Sequence, residues 1–181
     1  MAAAGTVRLR ALLARRGPGG GGAQTGLPGL GGGGHPVVTP GNETDFDRIE
    51  GDILALCRRF RVASVGFDPW QSTQMAQRLR AEGVNMLEFR ATTRNSSPAI
   101  LELDAAMRSG RLRHDGDPVL RWCVGNVVGQ EEGRGNLFPA KQRPEQKIDA
   151  AVALMMAVGR AMAEDASESD LEDFLRSPVI G

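Results

Sequence analysis

One nine-residue stretch, Val62-Ala-Ser-Val-Gly-Phe-Asp-Pro-Trp70, limits what this chain can fold into more than any other. Its apolar run is short, carries β-branched residues, follows a helical pattern and stops on an acid and a proline. It therefore reads as a buried strand ending at Asp68. A buried strand fed and followed by helices implies an α/β arrangement, a mostly parallel sheet with helices on both faces. In open sheets of that kind ligands bind just beyond the carboxyl ends of the strands. Asp68 stands at such an end. An acid before proline also serves as an ordinary turn opener, so position alone leaves both readings of Asp68 open.

The flanking sequence fills in the layers. Phe46, Ile49, Ile53, Leu56, Cys57 and Phe60 recur at helical spacing, with Thr44 and Asp47 as a capping-box-like start. A second helix is expected over 71–82, burying Met75 and Leu79 and stopping at Gly83. A strand follows over 84–89, then a polar loop over 90–96. Ser97-Pro98 reads as the start of a helix that ends near Gly110. Asp117-Pro118 is expected to cap and open another, reaching about residue 127. Two glycines and a proline between short apolar pieces over 130–143 favour a β-hairpin turning near 133–136. A last helix over 146–163 carries Ile148, Val152, Leu154, Met155 and Val158. Trp70 and Trp122 are expected in the core.

Asp149 lies in the first turn of that last helix, where acids are favoured by the macrodipole whether or not they bind anything. Paired carboxylates at separate strand and helix ends suit two hard divalent cations about 4 Å apart, as in phosphodiester cleavage. Arg134, Lys141, Arg143 and Lys147 cluster in and after the hairpin. They read either as solvated surface charge or as contacts to a nucleic-acid backbone. His114, Asp115 and Asp117 form a local polar cluster that turn chemistry explains.

Charge narrows the function classes. Lys plus Arg and Asp plus Glu both total 22. Four arginines sit in the first 34 residues, which hold 12 of the 24 glycines and no acid. Six acids crowd the stretch from Glu164 to Asp173. The near-neutral body between does not advertise nucleic-acid binding by net charge, so any such contact must come from local patches. Two cysteines far apart suggest neither a disulfide framework nor a zinc site. Three segments are expected: a disordered Gly/Arg-rich leader over 1–35, a folded domain over 36–163 and an acidic tail over 164–181.

Taken together, Thr39-Pro-Gly-Asn42, Phe67-Asp-Pro-Trp70, His114-Asp-Gly-Asp-Pro-Val-Leu-Arg-Trp122, Asn126, Gly135-Asn136, Lys141 and Lys147-Ile-Asp149 resemble the C-terminal nuclease half of a tailed-phage terminase large subunit. The resemblance spans roughly residues 36–181. It implies a ribonuclease-H-like fold, a three-layer α/β/α arrangement with a mostly parallel sheet and a β-hairpin, and metal-dependent endonuclease action on concatemeric double-stranded DNA. It also implies Asp68 and Asp149 as ligands of two Mg²⁺ or Mn²⁺ ions, portal protein and small terminase subunit as partners, and the host cytoplasm as location. The family adds an acid on its first strand, in a Gly-x-Asp setting, and an ATPase with a phosphate-cradling loop. Neither is found upstream of residue 35. The chain is accordingly expected to lack its first strands and to cut weakly or not at all alone. The competing expectation is a non-catalytic assembly piece that docks on portal or capsid components.

Overall fold

The computed structural model describes residues 44–112, 114 and 116–164 in full, and only the backbone course of 14–15, 37–38 and 165–176. Most of the Gly/Arg-rich leader and the end of the acidic tail lie outside the described residues. β1 (Ala14–Arg15), in the leader, pairs in parallel with β2 (Val37–Val38), just beyond it.

The centre of the domain is a parallel pair, β3 (Val65–Phe67) and β4 (Met86–Glu88), in which Val65 faces Met86 and Phe67 faces Glu88. Strand alternation sends Val65, Phe67 and Met86 to one face. There they meet α2 (Thr73–Ala81) through Ala76 and Leu79, and α1 (Phe46–Arg59) through Ile53, Leu54 and Cys57. Alternation sends Ser64 and Gly66 to the other face, which is covered by α5 (Asp149–Arg176). The result is helix, sheet and helix in three layers.

A second core lies under the first half of α5. Leu103 of α3 (Thr93–Arg108) and Val119, Leu120 and Cys123 of α4 (Pro118–Asn126) close on Ala150, Ala151, Leu154 and Met155. The alanines let the helices approach, and Leu154, 2% exposed, fills the space between them. β5 (Val127–Glu132) leaves α4 directly and pairs antiparallel with β6 (Asn136–Lys141). The hairpin is pinned to α3 by the Leu137 amide, which donates to the Ser97 hydroxyl at 3.0 Å.

Several local expectations need correction. α1 is capped by Asp45, whose side chain accepts from the Arg48 amide at 2.9 Å, and not by Thr44. α3 begins a turn before Ser97-Pro98. Thr92, in extended backbone, accepts from the Asn95 amide, and Asn95 ties its side chain to the Arg90 carbonyl at 2.9 Å. These bonds start the helix early enough that Pro98 sits inside it, where the Arg94 carbonyl gives up one donor. Ser97 is buried and serves the hairpin instead of a cap. α5 starts at Asp149, three residues later than expected, and its backbone stays helical to Arg176. Trp70 is not in the core: it is 79% exposed. Trp122 does pack against the second core.

Among the described glycines, the closest approach is at Gly159. A Cβ there would lie 2.6 Å from the Phe89 ring and 3.3 Å from the Ala99 Cβ. Overpacking of that kind costs about 1–3 kcal/mol, so Gly159→Val is expected to lower stability by that amount in urea unfolding. Gly125, helical and with nothing within 4 Å of its added Cβ, is the control. Gly125→Ala should gain roughly 0.5–1 kcal/mol from helix propensity. Similar behaviour of the two variants would contradict the packing described.

Candidate functional site

Asp68 leaves β3 half-buried, and its surroundings fix its direction. Its Oδ1 accepts the Trp70 amide at 2.9 Å, and its carbonyl accepts from the Ser72 hydroxyl. Thr73 Oγ1 donates to the Pro69 carbonyl at 3.0 Å, and Gln71 takes a left-handed φ of 59° that closes the turn. One carboxylate oxygen is thus engaged by backbone. Among the described residues, no hydrogen bond holds Oδ2.

The partner layer sets what Asp68 faces. The Ser64 hydroxyl donates to Glu164, and a methyl group at Gly66 would sit 3.2 Å from Arg160 Cγ. Moving along β3 from 64 to 66 therefore means moving back along α5 from 164 to 160: the strand and helix run antiparallel. The carboxyl end of β3 points towards the first turn of α5, where Asp149 lies exposed. Continuing the alternation of Ser64 and Gly66 puts Asp68 on the α5 side of the sheet. A strand rises about 3.3 Å per residue and a helix 1.5 Å, so Asp68 lies roughly 7 Å beyond Gly66 and Asp149 roughly 16 Å before Arg160. The two backbones are then offset by about 10 Å along the shared axis, and the spacing of helix over sheet adds to that across the layers.

Asp149 is held at that end by a clamp that the sequence did not reveal. Asn126, 5% exposed at the end of α4, donates its side-chain amide to the Lys147 carbonyl at 3.1 Å, while its own carbonyl accepts the Gln142 amide at 2.9 Å. Gln146 Oε1 accepts the Arg143 amide at 2.9 Å. These bonds fold 142–147 into a tight connection and fix where α5 begins. Cys123 lies beneath it, buried. Desolvation pushes its thiol up, and the negative charges of Asp149 and Asp117 act in the same direction against backbone donation from Ala150 and Ala151. Cys123 is therefore a protonated filler of the core.

Lys141, Arg143 and Lys147 are exposed around this clamp. Arg134 is not with them. It occupies the hairpin tip with φ 60°, between Gly133 and Gly135, about 20 Å of strand away. Among the described residues none of the four is ion-paired. Asp117 caps α4 by accepting the Leu120 amide at 2.8 Å, as its place before Pro118 suggested, and His114 Nδ1 accepts the Gly116 amide at 3.1 Å. Sequence reasoning also missed a cavity of about 340 Å³ between β4, α3 and α5, walled by Phe89, Arg94, Pro98 and Arg160. The buried Nε of Arg160 has no hydrogen-bond partner there.

The donor chemistry of Asp68 and Asp149 suits a hard divalent cation, since both offer only carboxylate oxygens and Asp68 keeps one of them unbonded. Among the described residues no group of three or more His, Cys, Asp or Glu gathers in one place. Each carboxylate by itself has the donor chemistry of a hard-cation ligand.

Because Asn126 is buried and bonded, removing its side chain strands the Lys147 carbonyl. Asn126→Ala is expected to cost about 1–3 kcal/mol in thermal unfolding. Hydrogen exchange should speed up over 142–150 while α1 and α2 keep their protection. Uniform loosening of the whole domain would contradict a local clamp.

Comparison with known proteins gives a consistent result. The model of the terminase large-subunit endonuclease domain matches residues 36–165. Protein YmfN of Escherichia coli K12 is 39% identical over 143 residues, covering 78% of this chain and 31% of its own length. The terminase large subunit of Enterobacteria phage HK97 is 32% identical over 145 residues, covering 78% and 29%. The chain thus spans less than a third of these curated relatives. Among solved structures, the large terminase of bacteriophage HK97 superposes with a TM-score of 0.63 at 31% identity, over 69% of this chain and 26% of that one. The large terminase nuclease of thermophilic phage G20c superposes with a TM-score of 0.54 at 20% identity, over 64% and 62%, a likeness of fold.

Proposed function

This chain belongs to the terminase large-subunit endonuclease family, and from that premise we propose that it cleaves double-stranded concatemeric DNA during phage genome packaging, with Asp68 and Asp149 as its metal-holding acids. The observation that carries the reading is the antiparallel packing of β3 on α5, with Ser64 on Glu164 and Gly66 on Arg160. That packing supports one shared site at the end of the layer where both acids stand.

In this reading the Trp70 amide holds Asp68 so that its second oxygen is presented outward, and the Asn126 clamp holds the start of α5 so that Asp149 is presented to the same end. Bound Mg²⁺ or Mn²⁺, two ions by family resemblance, supplies activation of a water and stabilisation of the leaving oxygen. Lys141, Arg143 and Lys147, and Arg134 from the hairpin tip, neutralise phosphates and keep the duplex against the acids without reading bases. Portal protein and the small terminase subunit are the partners that this role implies, and the host cytoplasm the location. No helix among the described residues is long and apolar enough to cross a membrane.

Calorimetric titration tests the acids. Mn²⁺ is expected to saturate the wild-type chain, and Asp68→Asn and Asp149→Asn each to weaken that binding by more than about tenfold. Plasmid nicking with Mn²⁺ should be slow, since only two acids are placed, and absent in Asp68→Asn. Mn²⁺ binding that both variants leave unchanged would overturn the assignment.

The basic residues are tested separately by the salt dependence of binding to a duplex oligonucleotide without metal. Replacing any of the four by Ala should flatten the log–log slope by about one unit, the loss of one phosphate contact. An unchanged slope would remove that residue from the interface.

A further inference from the structure

Trp70 does not behave as its composition suggests. An indole offers 150–250 Å² to burial, more than any other side chain, yet this one is 79% exposed, the most exposed of the large apolar residues described. Trp122, by contrast, is half-buried against the second core. The backbone that carries Trp70 is held in place. The Trp70 amide is bonded to the Asp68 carboxylate, and the Ser72 and Thr73 hydroxyls close the same turn on the Asp68 and Pro69 carbonyls. The backbone that carries the indole is therefore fixed beside an acid two residues away, at the carboxyl end of β3.

We propose that Trp70 is a DNA-contacting residue that stacks on a base flanking the phosphate presented to Asp68. This rests on the nuclease reading and extends it to the substrate's bases. The chemistry fits. A base opened from the stack has a free π face, so stacking on an indole holds it without regard to sequence and offsets the cost of unstacking it, while the local basic residues supply only backbone contacts. An aromatic at this place converts loose electrostatic attraction into a defined position of the strand relative to the acids. The chain has no tyrosine and only six phenylalanines, so it has few side chains able to do this.

The test uses the full chain carrying Trp122→Phe, so that emission reports Trp70 alone, with a labelled duplex oligonucleotide in metal-free buffer. DNA is expected to quench the emission saturably, in step with the anisotropy of the label. Trp70→Ala should weaken binding by about tenfold, the typical worth of one stacked base, while Trp70→Phe stays within about threefold. Because the side chain is exposed, both variants should melt with the parent. Emission unchanged at saturating DNA, no DNA binding at all, or Trp70→Ala binding as tightly as Trp70 would each overturn the proposal. A protein partner covering the indole would give the last of these. The two readings separate: failure of Mn²⁺ to bind at Asp68 and Asp149 with quenching intact removes the metal site and leaves the contact, and the reverse removes only the contact.

Discussion

The close packing of α5 against the β3–β4 pair is the constraint on which everything else rests. Two glycines make it possible. Gly66 leaves room for the aliphatic stem of Arg160, and Gly159 leaves room for the Phe89 ring and Ala99. The helix can then lie flat on the sheet with Glu164 over Ser64, and its direction is fixed antiparallel to β3. A Cβ at Gly66 would press on the Arg160 stem by a few tenths of an ångström, and one at Gly159 would force the Phe89 ring to shift.

α5 also joins the two cores. Its first turns bury Ala150, Ala151, Leu154 and Met155 against α3 and α4, while its middle covers the sheet. The Asn126 clamp adds a local lock where the hairpin returns and the helix begins. The apolar cores hold the layers together, the bonds at the carboxyl end of β3 orient Asp68, and the Asn126 clamp fixes the connection before Asp149.

Much of this was legible in the sequence because it depends on neighbours along the chain. The strand ending at Asp68, the Asp117 cap before Pro118 and the hairpin turn with its glycines each follow from local rules that tertiary structure did not override. The family resemblance, carried by motifs spread over more than a hundred residues, was legible for the same reason. What failed depended on distant partners. Ser97-Pro98 looks like a helix start until Thr92 and Asn95 are seen to begin the helix earlier. Trp70 looks like core until its amide is found on Asp68. Asn126 looks like an ordinary polar residue until Lys147 is opposite it. The packing of β3 on α5 is of this second kind, since no spacing in the sequence announces that Gly66 will rest on Arg160.

The central claim is that Asp68 and Asp149 serve one cation site. Paramagnetic broadening in NMR spectra of the full chain, with Mn²⁺ added well below stoichiometry, tests it most directly. The amides of Pro69's neighbours Asp68 and Trp70 and those of Asp149 and Ala150 should broaden together and in proportion, with α1 unaffected. Broadening at only one of these two places, or diffuse broadening across the acidic surface, would contradict a shared site.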